Sequence, residues 1–176
     1  MEGGRVKEIR GLLVYEGSDE VLMKYDFGKS VGAKRGRLTE ISTLQGVCDV
    51  FPKTVALSKF EAKFLIENEQ VKCESLIPLS QEEDKKYQLF SLLINKGYFV
   101  KDGFKYACDF MVYKKNPKEC HSYGGLVIMG LHNIVYRDIL GYCRLLHAVK
   151  KVLLLAYENG SSYDVQEMEW ETLDNH

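Results

Sequence analysis

Apolar positions along the chain change their period several times, and each change marks an element. From Gly11 the run GLLVYEGSDEVLMKYDFGKSVGAKRGRLT breaks short apolar stretches at glycines, the alternation expected of β-strands. At LSKFEAKFLIEN the spacing opens to that of a helix. Phe60, Phe64 and Leu65 make one stripe, and Ser58 with Glu61 forms a capping box. PLSQEEDKKYQLFSLLINKG repeats the device: Ser80 and Glu83 form the box, Tyr87, Phe90, Leu93 and Ile94 face a core, and Gly97 is a left-handed stop. YFVKDGFKYACDFMVY then predicts two strands meeting at an Asp102-Gly103 turn. A strand over 125–129 follows, then a helix over 136–148, a buried strand KVLLLAYE, a turn at ENGSS and a last strand over 165–170. The polar SLIPLSQEED divides the chain into an N-terminal αβ module, residues 1–78, and an α/β unit, residues 79–176. The expected fold class is α+β.

Length and composition narrow the setting. A chain of 176 residues can bury a proper core, and no apolar run approaches the roughly 20 residues that span a bilayer. The N-terminal MEGGRVKEIRG lacks the apolar centre of a signal peptide, so an intracellular protein with no membrane partner is expected. Cys48, Cys73, Cys108, Cys120 and Cys143 are scattered and never spaced as CxxC, which argues against a disulfide framework or a zinc site. Reduced, mostly buried thiols are expected, and Cys120 is discounted as a nucleophile because neighbouring strand residues face opposite ways.

The net charge of −1 hides an uneven distribution. Between Gly97 and Lys151 nine Lys and Arg stand against four acids, an excess that suits a polyanion but also fits a solvated face. Within this basic region Tyr113 ends one strand and His121 follows eight residues later, so a returning loop can bring them close. Lys150 and Lys151 open the apolar strand, and one of them should project toward the same end of the sheet. Tyrosine, histidine and lysine suit proton transfer and stabilisation of developing negative charge without a metal or other cofactor. RNA phosphodiester cleavage fits, because the 2′-hydroxyl supplies the nucleophile. Each residue also has an ordinary reading: a strand-end packing tyrosine, an exposed loop histidine, a snorkelling edge lysine.

The order and context of these residues resemble the tRNA-splicing endonuclease family. GYFVKDGFKYACDFMVY matches that family's run of glycine, apolar strand, second glycine, Lys-aromatic, small residue, Asp-Phe and tyrosine. His121-Ser122-Tyr123 and RLLHAVKKVLLLAY follow as the histidine and lysine motifs. The resemblance implies a restriction-endonuclease-like C-terminal domain with a mixed sheet. It implies Tyr113 as general base, His121 as general acid and Lys151 as the charge-stabilising cation. A 2′,3′-cyclic phosphate and a 5′-hydroxyl are the products it implies. Arg144 and Trp170 match side chains that grip a bulged base, here or at a neighbouring active site. Lys114 and Lys115 would face the RNA backbone and help acidify Tyr113.

The implied partners are precursor tRNA and further subunits of a four-unit assembly, with the final apolar strand and hydrophobic tail suited to subunit pairing. The N-terminal LLVYEGSDEVLMKYDFGKSVGAKRG followed by VALSKFEAKFLIE, the eight-residue Tyr-to-His spacing, Pro117 and the tail MEWETL resemble the eukaryotic subunit that cuts the 3′ splice site, a nuclear protein. A compact, cytoplasmic archaeal enzyme stays open. So do a non-catalytic RNA-binding subunit of the same complex and a metal-dependent nuclease using Asp109. For Asp109 a structural role is preferred, since there is no second suitably spaced acid followed by a strand lysine.

Overall fold

Three serines start three helices. Ser18 accepts the Glu20 N–H ahead of α1 (Asp19–Tyr25). Ser58 and Ser80 form full capping boxes with Glu61 and Glu83 ahead of α2 (Lys59–Glu67) and α3 (Gln81–Asn95). The computed structural model describes residues 4–9, 11–30, 55–73, 77–131, 134–160 and 162–170 of the 176. Two compact units divide the chain, Met1–Leu79 and Ser80–His176.

The first unit holds β1 (Gly4–Ile9), β2 (Leu12–Glu16), β3 (Lys29–Ser30), β4 (Val55–Leu57) and β5 (Val71–Cys73) in the order β3-β4-β2-β1-β5. β1 pairs antiparallel with β2 and parallel with β5. Phe64 from α2 meets Phe27 at 5.8 Å and Tyr25 at 5.3 Å between ring centroids, and Leu65 beside it is fully buried. Residues 19–25, expected as strand, are helical instead. Ser18 caps them, Asp19 and Glu20 sit at the positive end of the helix dipole, Lys24 sits at the negative end, and Leu22 is buried. Residues 31–39 of the same run, and Cys48, lie outside the described residues.

The second unit is built on β6 (Phe99–Asp102), β7 (Phe110–Tyr113), β8 (Gly124–Ile128), β9 (Val152–Asn159) and β10 (Ser162–Met168), ordered β10-β9-β8-β7-β6. Only β8 and β9 run parallel, joined through α4 (Tyr136–Ala148), so the sheet is mixed and the chain is α+β. Alternation along the strands separates two faces. Val127, Leu153 and Leu155 pack with Cys143 and Leu146 of α4. Phe110, opposite Leu126, meets Phe90 of α3 at 6.0 Å. Gly125 admits the helix: a Cβ there would lie 2.6 Å from Cys108 Sγ and 2.8 Å from Leu146.

Three expectations change in this unit. β6 and β7 are joined by a 3-10 turn, Phe104–Tyr106, in place of a two-residue turn, because Asp102 accepts the Phe104 N–H and Ala107 takes a left-handed φ of 54°. The last strand ends at Met168, so Trp170 lies beyond it. The apolar strand β9 is interior, flanked by β8 and β10, so its edges are already paired; the outward edge at that side belongs to β10.

Candidate active site

Hydrogen-bond register brings three chain segments to one end of the second sheet. Val112 pairs with Gly124, and Gly124 pairs with Val152. One residue further out, the Tyr123 N–H donates to the Val112 carbonyl (2.8 Å), and the Val152 N–H donates to the Tyr123 carbonyl (3.3 Å). Tyr113 at the end of β7, His121-Ser122-Tyr123 before β8 and Lys151 before β9 therefore share this end. Gly124 permits the close approach, since a Cβ there would sit 2.7 Å from the Val152 carbonyl oxygen.

Lys151 is delivered by the end of α4. Lys150 turns left-handed at φ 57°, and the Lys151 N–H returns to the Leu146 carbonyl at 2.9 Å. Lys150 is left exposed. The half-buried Lys151 sends its ammonium to the Ser122 carbonyl at 3.3 Å, one residue past His121. Its Nζ also lies 5.9 Å from the centroid of the Tyr106 ring.

The loop over 114–120 is folded around Asn116, whose side chain accepts the Lys118 N–H and whose carbonyl accepts those of Glu119 and Cys120. His121 emerges from it exposed, while Ser122 is buried and Tyr113 half-buried. Cys120 belongs to this turn and not to a strand, so strand alternation does not govern it. Its thiol is held at the Lys115 and Asn116 carbonyls, at 3.4 Å and 3.5 Å. Lys115 is exposed. Lys114 places its Nζ 3.2 Å from the centroid of the Tyr123 ring, and the Tyr123 hydroxyl donates to Glu167 on β10. Glu167 holds that phenol above the usual tyrosine range, with Lys114 pulling the other way. Sequence reasoning missed the Tyr123–Glu167 pair, because nothing local ties residues 44 apart.

Arg144 and Trp170 are also brought together. The guanidinium carbon lies 4.7 Å from the indole centroid, a direct cation–π stack that leaves no room for a base between them. To hold a nucleobase as a sandwich, the two must part. Asp109 is engaged on both oxygens: Lys86 meets one at 3.1 Å, the Ile128 N–H donates to the other at 2.9 Å, and the side chain is 4% exposed. Those contacts tie α3 to the sheet. Among the described residues no cluster of three or more His, Cys, Asp or Glu side chains is placed to hold a metal ion, and no helix is long and apolar enough to cross a membrane. Burial pushes the Cys108 thiol up to about 11 and raises that of Cys143, so neither is a ready nucleophile.

Residues 83–166 match the family described as tRNA intron endonuclease, catalytic C-terminal domain, a segment that contains Tyr113, His121, Arg144 and Lys151 and stops short of Trp170. The chain is 34% identical to the tRNA-splicing endonuclease of Methanothermobacter thermautotrophicus over 122 residues, 61% of this chain and 72% of that protein. It is 25% identical to the tRNA-splicing endonuclease of Sulfurisphaera tokodaii over 138 residues, 76% of this chain and 77% of that protein. It is also 31% identical to the tRNA-splicing endonuclease subunit Sen2-1 of Arabidopsis thaliana over 98 residues, 53% of this chain and 41% of that protein.

Proposed function

This chain belongs to the tRNA-splicing endonuclease family, and from that membership we propose that it is a catalytic chain cleaving precursor tRNA at an intron–exon junction. The observation that carries the reading is the common sheet end of Tyr113, His121 and Lys151, fixed by the Val112–Gly124–Val152 register and the Lys151–Ser122 contact. Tyr113, acting as the phenolate, takes the proton of the 2′-hydroxyl, and the freed oxygen attacks the adjacent phosphorus. His121 protonates the departing 5′-oxygen, the general-acid role that an imidazolium can fill. Lys151 lies over the non-bridging oxygens, where negative charge grows. The products are a 2′,3′-cyclic phosphate and a 5′-hydroxyl, and the chain's own residues supply every proton transfer without a metal or cofactor.

The rest of the reading follows the same resemblance. Lys115 faces the RNA backbone, and Lys114 joins it by leaving the Tyr123 ring. Arg144 and Trp170 open to take a bulged base, at this or a neighbouring active site. The chain works within a multi-subunit assembly of four units. Its N-terminal strands favour the 3′ splice site, in the nucleus for a eukaryotic source; an archaeal source places the enzyme in the cytoplasm.

The test is cleavage of an intron-containing precursor tRNA by the assembled protein in EDTA, with analysis of the ends. Cyclic phosphate and 5′-hydroxyl termini are expected. His121→Ala and Tyr113→Phe should each slow cleavage by about 10²–10⁴-fold while RNA binding stays near wild type. Wild-type rates in either variant contradict the assignment, and cleavage that stops in EDTA points to a metal-dependent reaction instead.

A further inference from the structure

The Lys151 ammonium has two described neighbours of different kinds. One is the Ser122 carbonyl, 3.3 Å away, and the other is the face of Tyr106, at 5.9 Å from its centroid. A lysine stem has four rotatable bonds, so a charge meant to meet a developing oxyanion must be held before the reaction begins. Tyr106 is built to hold still. The Tyr106 and Cys108 N–H groups both return to the Gly103 carbonyl, at 2.9 Å and 3.2 Å, and the Ala107 N–H reaches the Phe104 carbonyl at 3.1 Å. Gly103 is fitted so closely into this turn that a Cβ there would lie 2.5 Å from the Cys108 carbonyl oxygen. The Tyr106 ring is half-buried against the cluster of Cys108, Leu146 and Leu153. Lys105 also stands 5.6 Å from this ring, but it is exposed and adjacent in the chain, so its contact needs no long-range organisation.

We infer that Tyr106 is a positioning residue for Lys151, its ring and the Ser122 carbonyl together holding the ammonium where the scissile phosphate arrives. The inference rests on the reading of Lys151 given above. Of the three N–H bonds on the ammonium, one is spent on Ser122 and one side is closed by the ring, which leaves the remainder for a non-bridging phosphate oxygen. The phenol hydroxyl has no part in this, so a phenyl ring should serve as well.

The experiment is a double-mutant cycle on the active assembly, read as single-turnover cleavage and, separately, as precursor tRNA affinity. Tyr106→Leu keeps apolar volume at the site and should slow cleavage by about three- to tenfold, the size of an exposed to partly buried cation–π contact. Affinity should be unchanged, and Tyr106→Phe should restore the rate. In a Lys151→Ala background Tyr106→Leu should cost nothing further. A wild-type rate in Tyr106→Leu overturns the inference. So does a penalty that persists in full without Lys151, which would mark Tyr106 as merely structural. If Lys151→Ala alone cleaves at the wild-type rate, the reading of Lys151 falls, and the inference falls with it. That outcome is visible before Tyr106 is touched.

Discussion

Lys150 sits at φ 57° without being glycine, and its strain aims the next residue. A left-handed L-residue costs roughly 1–2 kcal/mol, which glycine would relieve at some cost in unfolded-chain entropy. Lys150→Gly should therefore raise stability by about 0.5–1 kcal/mol in denaturant melts, with no change in cleavage rate. Cys108 gives a pH signature. Its thiol is pushed up to about 11 by burial, whereas an unfolded thiol titrates near pH 8.5. The folded state thus keeps a proton that the unfolded chain releases. The contribution is whole below about pH 8.5 and is lost as pH rises toward 11. Melts over that range should show stability falling, with a shallower fall in Cys108→Ala. At this scale the two serine–glutamate capping boxes were legible because each is spelled within four residues. Ser18 lacks the partner glutamate of a box, and its helix was read as strand.

Elements decide which residues meet. Tyr113 and His121 could be paired on paper because one short loop separates them, and Lys151 because it opens an apolar strand. The contacts that refine the site cross the sheet: Tyr123 to Glu167, Lys151 to Tyr106, Arg144 to Trp170. Each depends on strand order and on the parallel pairing of β8 with β9, which no local pattern encodes. Asp109 is placed by the same logic. It joins α3 through Lys86 to the start of β7 and the end of β8. Asp109→Asn should cost about 1–3 kcal/mol of stability while the rate per folded molecule stays at wild type. Loss of activity in a fully folded variant would return Asp109 to the chemistry.

Over the whole molecule, a chain of net charge −1 gathers nine cations against four acids in the segment that carries the site. Composition could announce a polyanion there, and the fold brings Tyr113, His121 and Lys151 to one end of the sheet. The central claim is that Tyr113, His121 and Lys151 divide one phosphate between them, with His121 serving the leaving oxygen. Replacing that 5′-oxygen by sulfur in a precursor tRNA tests it most directly. A thiolate departs without a proton, since thiols ionise near pH 8.5, far more readily than an alcohol. His121→Ala should cleave the sulfur linkage at close to the wild-type rate, while Tyr113→Phe stays slow on both linkages. A His121→Ala variant as slow on sulfur as on oxygen would contradict the account.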